Sequence, residues 1–260
     1  MKVCLAQTRI IWEEKEENLN SAETYIIDAK KNNVDVILFP EMSFTGFSMN
    51  APKTGEENRY TFDRISKLAK EKEIIVGFGW VRKKGDICEN VYSIVDERGQ
   101  LISEYAKIHP FSYSGEDQYF VGGDKIVIYR IKNIPFSTFI CYDLRFPEIF
   151  RTVSESVHMI ILPACWPSKR SEHWKTLLRA RAIENQVYIF AVNCQGDIGE
   201  LYYSGDSCII NPNGEILHCL SDKRGAIICN VEDDVDQFRN SFPVLKDKKI
   251  VSELQVVIQE

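Results

Sequence analysis

No run of this chain is apolar for long enough to span a bilayer, and that excludes an α-helical membrane anchor within it. Basic residues are in deficit, with 32 Lys and Arg against 38 Asp and Glu and a net charge of −6. Such a balance argues against nucleic acid or an acidic membrane as a partner. Eight cysteines are present, but no two stand as Cys-x-x-Cys. The four histidines, His109, His158, His173 and His218, are as scattered as the cysteines. Without a cluster at ligand spacing, no metal is expected. No Gly/Ser linker or low-complexity tract divides the 260 residues, so one domain is expected. Glycine-rich phosphate motifs are missing as well. Gly77-Phe78-Gly79 comes nearest, but it lies inside a β-type run and lacks the later glycine and the P-loop lysine. It reads as a place of close backbone packing. Met1-Lys2 leads straight into a strand pattern, which reads as no secretory signal. Together these features predict a soluble cytoplasmic protein with reduced thiols.

What is present is a chain 44% hydrophobic, enough to bury a large core. Apolar β-type runs alternate with helical patterns. Val3–Thr8 reads as a strand, and Glu17 to Lys31 as a helix with Leu19, Ala22, Ile26 and Ala29 on one face. Val34–Phe39, Ile74–Val81, Asn90–Val95, Leu101–Tyr105, Met159–Leu162, Val187–Asn193, Ser207–Asn211, Glu215–Leu220 and Ala226–Val231 read as further strands. Helices are expected over Phe62–Lys72 and His173–Gln186. The alternation predicts an α/β fold with helices covering mixed sheets. Two strand–turn–strand units, around Arg98-Gly99 and Asn213-Gly214, are alike enough to hint at an internal duplication.

Three strand ends carry reactive groups. Phe136, Phe139 and Ile140 lead an apolar run into Cys141, after which a helical pattern starts near Phe146-Pro147-Glu148. A cysteine on such a strand-to-helix elbow is held on a tight bend, and its sulfur is expected to be exposed. The backbone N–H of the next residue, Tyr142, points toward the same space. That geometry suits a nucleophile with an oxyanion site beside it. The run Val34–Phe39 ends at Pro40-Glu41, and Leu101–Ala106 ends at Lys107. Reacting groups in layered α/β folds gather outside the carboxyl ends of strands. A thiol, a carboxylate and an ammonium are therefore expected to converge.

These motifs are Leu38-Phe39-Pro40-Glu41-Met42, Tyr105-Ala106-Lys107-Ile108-His109 and Ile140-Cys141-Tyr142-Asp143-Leu144-Arg145-Phe146-Pro147-Glu148. In this order they resemble the nitrilase superfamily of carbon–nitrogen hydrolases. The resemblance implies a four-layer αββα sandwich over residues 1–260 and a Glu41–Lys107–Cys141 triad. It implies a second glutamate at Glu116, orienting the substrate, the water or Lys107. It also implies a homodimer or larger oligomer, associated through outer helices near the elbow and through the tail from about residue 240. That tail holds Phe242-Pro243-Val244-Leu245-Lys246-Asp247, then Ile250-Val251 and apolar Leu254, Val256, Val257 and Ile258. No cofactor is implied.

The implied chemistry is hydrolysis of a small linear amide through a cysteine thioester, with release of ammonia. Trp166 to Trp174, Arg179 to Gln186 and Phe111 to Asp117 are similar to the omega-amidase branch. Members of that branch act on 2-oxoglutaramate or 2-oxosuccinamate. Trp166 is then expected to form a pocket wall, and Arg170 or Arg145 to pair with the substrate carboxylate through its planar fork. Trp174 reads as core packing. Arg181 and Glu184, at helical i,i+3 spacing, read as a structural pair supporting the site. Other readings remain: a Cys–His hydrolase using His173 or His109, a nitrile or carbamoyl substrate, and a non-catalytic binding protein on the same fold.

Overall fold

The structure, a computed structural model, describes residues 1–249. The first half of the chain contains β1 (Lys2–Gln7), α1 (Lys15–Lys31), β2 (Val36–Leu38), α2 (Ala51–Thr54), α3 (Tyr60–Lys72), β3 (Ile75–Lys84), β4 (Ile87–Val95) and β5 (Leu101–Ala106). The second half contains β6 (Ile128–Ile131), β7 (Ile134–Thr138), α4 (Pro147–Val153), β8 (Met159–Ala164), α5 (Ser171–Asn185), β9 (Tyr188–Asn193), β10 (Gln195–Ile198), β11 (Leu201–Ile210), β12 (Ile216–Ser221), β13 (Gly225–Asn230) and α6 (Val235–Ser241).

One sheet runs β13-β1-β2-β3-β4-β5. The other runs β10-β11-β9-β8-β7-β6, with β12 also on β11. β1 pairs in parallel with β2, and β2 with β3, while β3–β4 and β4–β5 are antiparallel. The second sheet repeats this scheme: β7–β8 and β8–β9 are parallel, and β9–β11 and β11–β12 are antiparallel. The duplication hinted at by the two turns is thus a duplication of topology. β13 departs from it by crossing to the first sheet, where it pairs antiparallel with β1 from Lys2↔Asn230 to Gln7↔Gly225.

Period-two alternation sets the layers. In β1, Val3 and Leu5 face the second sheet, and Cys4 and Ala6 face the helices. Val36 and Leu38 of β2 likewise join the inner core, and Ile37 the outer one. Leu19, Ala22, Ile26 and Ala29 of α1 are buried on that outer face, as their spacing predicts. α4 and α5 cover the second sheet through Phe150, Val153, Trp174, Leu178 and Ala182. The result is the expected four-layer αββα sandwich. Each fully buried aliphatic side chain contributes about 1.5–3 kcal/mol, so the layering follows from the pattern.

Differences from the sequence reading are local. β2 is shorter than its apolar run, although the flanks of that run bond to the same neighbours: Asp35 N–H donates to Lys2 O on β1, and Phe39 N–H donates to Gly77 O on β3. α2, β6, β10 and α6 are short elements that the sequence pattern does not announce. In the tail, Leu245 is buried in its own domain and Phe242 O accepts from Gln186 Nε2, while Phe242 itself is exposed. Ile250 to Ile258 lie outside the described residues.

Candidate active site

Cys141 follows β7 with φ +46°, the left-handed region that a non-glycine residue enters only under constraint. Asp143 supplies that constraint. Its buried carboxylate accepts from Ile140 N–H at 3.0 Å, closing the elbow. It also accepts from Tyr105 Oη at 2.8 Å and from His109 N–H at 3.0 Å. Tyr105 and His109 flank Lys107, so one carboxylate ties the cysteine elbow to the end of β5. Arg181 braces the turn from α5, donating from Nη2 to Leu144 O at 2.8 Å and from Nη1 to Glu184 at 2.9 Å. The expected structural pair is therefore in place.

Glu41 follows β2 on a backbone that passes close to β3. A Cβ added at Gly79 would lie 2.4 Å from Met42 N, so only glycine lets the Pro40–Met42 segment sit there. That is the close packing expected of Gly77-Phe78-Gly79. Lys107 is held by its backbone: its N–H donates to Asn90 O at 2.9 Å, and its O accepts from Gly123 N–H at 2.8 Å. Glu116 comes from a 3-10 turn, Glu116–Gln118.

The side chains meet in the interior. Lys107 Nζ donates to Glu41 Oε1 at 2.9 Å and to Glu116 Oε2 at 2.8 Å and Oε1 at 3.2 Å. Asn90 Nδ2 donates to Glu41 Oε1 at 2.7 Å and to Glu116 Oε1 at 3.1 Å. Cys165 N–H donates to Glu41 Oε2 at 2.8 Å. The side chains of Lys107, Glu41 and Glu116 are 1%, 0% and 0% exposed. Burial opposes the lysine charge, but the Glu41 and Glu116 carboxylates outweigh it and hold the ammonium well above its ordinary range. Burial, then the facing Glu41 carboxylate, pushes the Cys141 thiol well up, and Lys107 only partly offsets this. The thiol is thus stored protonated beside a carboxylate.

The exposed sulfur expected at the elbow needs correction. Cys141 is 9% exposed, because it lies inside a cavity rather than on the surface. The cavity measures about 510 Å³. Lys107, Cys141, Tyr142, Arg145, Trp166 and Arg170 all line it. Glu41 and Glu116 stand behind that wall. The Arg145 guanidinium lies 4.8 Å from the Trp166 ring centre, and Arg170 lies 5.5 Å from that of Phe111. Neither arginine has a carboxylate partner among the described residues. Trp12, Phe47, Met49, Ile198 and Leu201 complete an apolar wall. Trp174 is core, with Nε1 donating to Asp206 O at 2.8 Å. His109 is held by Asp143 and stacked on Phe146, and His173 Nδ1 lies 3.4 Å from Arg145 Nη2. Neither histidine is a hydrogen-bond partner of Cys141, which disfavours the Cys–His reading. No group of His, Cys, Asp and Glu among the described residues could hold a metal.

Sequence reasoning missed Asn90 and Asp143, and the cavity wall from Trp12 and the β10–β11 hairpin. Asp143 lies within the cysteine motif, and a buried polar residue in so apolar a segment is the signal that could have marked it.

A buried carboxylate–ammonium–carboxylate cluster behind a cysteine elbow, at the strand ends of an αββα sandwich, defines a hydrolase of the nitrilase superfamily. More narrowly, the chain belongs to the carbon-nitrogen hydrolase family, whose model matches residues 2–240. It is similar to a 2-oxoglutaramate amidase of Bacillus subtilis, 34% identical over 250 residues covering 94% of this chain and 95% of that protein. It is similar to the omega-amidase YafV of Escherichia coli K12, 30% identical over 95% of this chain and 96% of that one. Among solved structures it resembles XC1258 of Xanthomonas campestris, a CN-hydrolase superfamily protein with an arsenic adduct in its active site. The TM-score is 0.90 and the identity 25%, covering 100% of this chain and 99% of that one. The protein is accordingly an enzyme that hydrolyses carbon–nitrogen bonds. No helix among the described residues is long and apolar enough to cross a membrane.

Proposed function

We propose that this hydrolase is an omega-amidase, removing the terminal amide of a short 2-oxo acid such as 2-oxoglutaramate or 2-oxosuccinamate. The observation that carries the reading is one cavity holding Cys141 and the Lys107 ammonium together with two arginines that lack carboxylate partners among the described residues. An amide with a carboxylate at its other end would satisfy both halves of such a cavity. The names of the relatives at 30–34% identity support the same substrate class.

In the proposed mechanism Cys141 Sγ attacks the amide carbonyl carbon while Glu41 takes the thiol proton. With one N–H shared between the two Glu116 oxygens and one on Glu41, the third N–H of the Lys107 ammonium and the Tyr142 N–H hold the oxyanion, and one such donor is worth about 3–4 kcal/mol. Collapse breaks the C–N bond. The leaving nitrogen takes the proton from Glu41 and departs as ammonia, leaving a thioester on Cys141. Glu41 then takes a proton from water, whose oxygen attacks the thioester carbon. The C–S bond breaks, the proton returns to sulfur, and the product leaves as a carboxylic acid that gives its remaining proton to solvent. Glu116, bonded through both oxygens to Lys107, positions that ammonium. Trp166 forms the wall on which Arg145 rests, and Arg145 or Arg170 takes the substrate carboxylate.

We read the chain as one domain over residues 1–260, cytoplasmic, and a homodimer or larger assembly. Ile183, half exposed on α5, supports an outer-helix interface, with the tail from about residue 240 contributing. The test of function is ammonia release with Cys141→Ala as blank. The 2-oxo acid amide should show a kcat/KM at least about a hundredfold above a simple aliphatic amide, equivalent to roughly 2.7 kcal/mol. Equal rates on charged and neutral amides, or a preference for nitriles, would overturn the substrate.

A further inference from the structure

A carboxylate offers about four lone-pair sites to hydrogen-bond donors. Around Glu116 all four are taken: Lys107 Nζ on each oxygen, Asn90 Nδ2 on Oε1 and Phe111 N–H on Oε2. Around Glu41 three are taken. Lys107 Nζ and Asn90 Nδ2 fill Oε1, at 2.9 and 2.7 Å. Cys165 N–H takes one site on Oε2, at 2.8 Å. Among the described residues, the single open site in the cluster is therefore on Glu41 Oε2.

Asn90 is the group that leaves it so. It lies on β4, 1% exposed, and its own backbone O accepts from Lys107 N–H at 2.9 Å. Its two amide hydrogens divide between the two carboxylates. Flipping the amide would set Oδ1 against two carboxylate oxygens, so the network fixes its orientation. Oδ1 has no partner among the described residues, which leaves the donors as the polar contribution of this side chain.

Resting on the amidase reading, we propose that Asn90 is a positioning residue. It blocks Glu41 Oε1, so that Oε2 alone is free to take the Cys141 proton, and it holds Lys107 by the backbone at the height of that carboxylate. Glu116, with every lone pair occupied, takes no proton in turnover.

Asn90→Asp tests this, because it keeps the shape and replaces the donor by an acceptor. Asn90→Ala removes the group without adding charge. For each variant, kcat and KM for the preferred amide are measured. Alkylation of Cys141 by iodoacetamide is followed in parallel at the Cys141 peptide, with circular dichroism as the check on folding. Donor loss to a charged group predicts a kcat lowered about a hundredfold, with KM within threefold of the parent enzyme. Alkylation, which reads proton removal from the thiol, should slow at least about tenfold. Near-parent kcat and alkylation in folded Asn90→Asp would overturn the proposal by making shape sufficient. So would a raised KM with unchanged kcat, which would place Asn90 on the substrate. Loss of the native fold in both variants would overturn it too, by making Asn90 a scaffold residue. Alkylation needs no substrate, so it tests Asn90 even where the amidase reading itself fails for want of any active amide.

Discussion

Replacing Lys107 by methionine should unfold the protein more easily as well as silence it. Lys107 Nζ sits 2.9 Å from Glu41 and 2.8 Å from Glu116, with both carboxylates fully buried. Removing one partner of a buried ionic group typically costs about 3–5 kcal/mol, because it strands the charge left behind. For a chain of this size that is a fall of roughly 6–20 °C in melting temperature. The sign with pH is fixed by the direction of the lysine shift. Its folded-state range is raised above the ordinary 10.5. Its contribution is therefore complete at neutral pH and is lost only as pH climbs through that raised range. Lys107→Met lacks that contribution at every pH, so its gap from the parent protein should narrow only as pH climbs into that raised range. Adding Glu116→Gln to the variant removes one stranded charge and should recover about 1–3 kcal/mol. Calorimetry at several pH values measures all three quantities, and ammonia release reports turnover. A Lys107→Met protein melting within 2 °C of the parent, with no pH trend, would refute the ionic cluster.

Asp143→Ala should cost about 2–4 kcal/mol, since it orphans Ile140 N–H, His109 N–H and the Tyr105 hydroxyl. Urea denaturation measures this, and a loss below about 0.5 kcal/mol would show that the elbow is held by other means. Of Arg145→Ala and Arg170→Ala, only the one that removes the carboxylate anchor should erase the hundredfold preference for the 2-oxo acid amide. If neither does so in steady-state assays, the anchor lies elsewhere. Light scattering at micromolar concentration should give at least a dimer mass, and a monomer mass would remove the assembly reading.

The reactive residues were legible because each ends a β-type run. Glu41 and Cys141 follow apolar runs and Lys107 follows an alternating one, at the points where a strand must end, and the order of the three motifs, which resembles the nitrilase superfamily, marks them together. Asn90 carries no such mark, and Asp143 is marked only as a polar residue inside the cysteine motif. Asn90 is one polar residue on β4, and its meaning comes from carboxylates at positions 41 and 116 that only the folded sheets bring near it. The burial of Cys141 was hidden for a related reason. The elbow predicts a presented sulfur, but the wall around it is built from Trp12, Phe47 and the β10–β11 hairpin, distant in sequence. The layering follows from alternation. The crossing of β13 to the first sheet does not, because Ala226–Val231 reads as a strand with no indication of its neighbour.

That crossing sets an order on the life of the molecule. β1 is made long before β13, and one of its two edges stays vacant until β13 arrives to pair with it. Vacant strand edges invite pairing with other chains. The elbow, the lysine and both carboxylates are synthesised while the sheet that frames them is still open. A nascent or truncated chain ending before Gly225 thus carries every reactive group and an adhesive edge, but no closed sheet. Here the pairing of β13 is also the step that withdraws the β1 edge from such contacts.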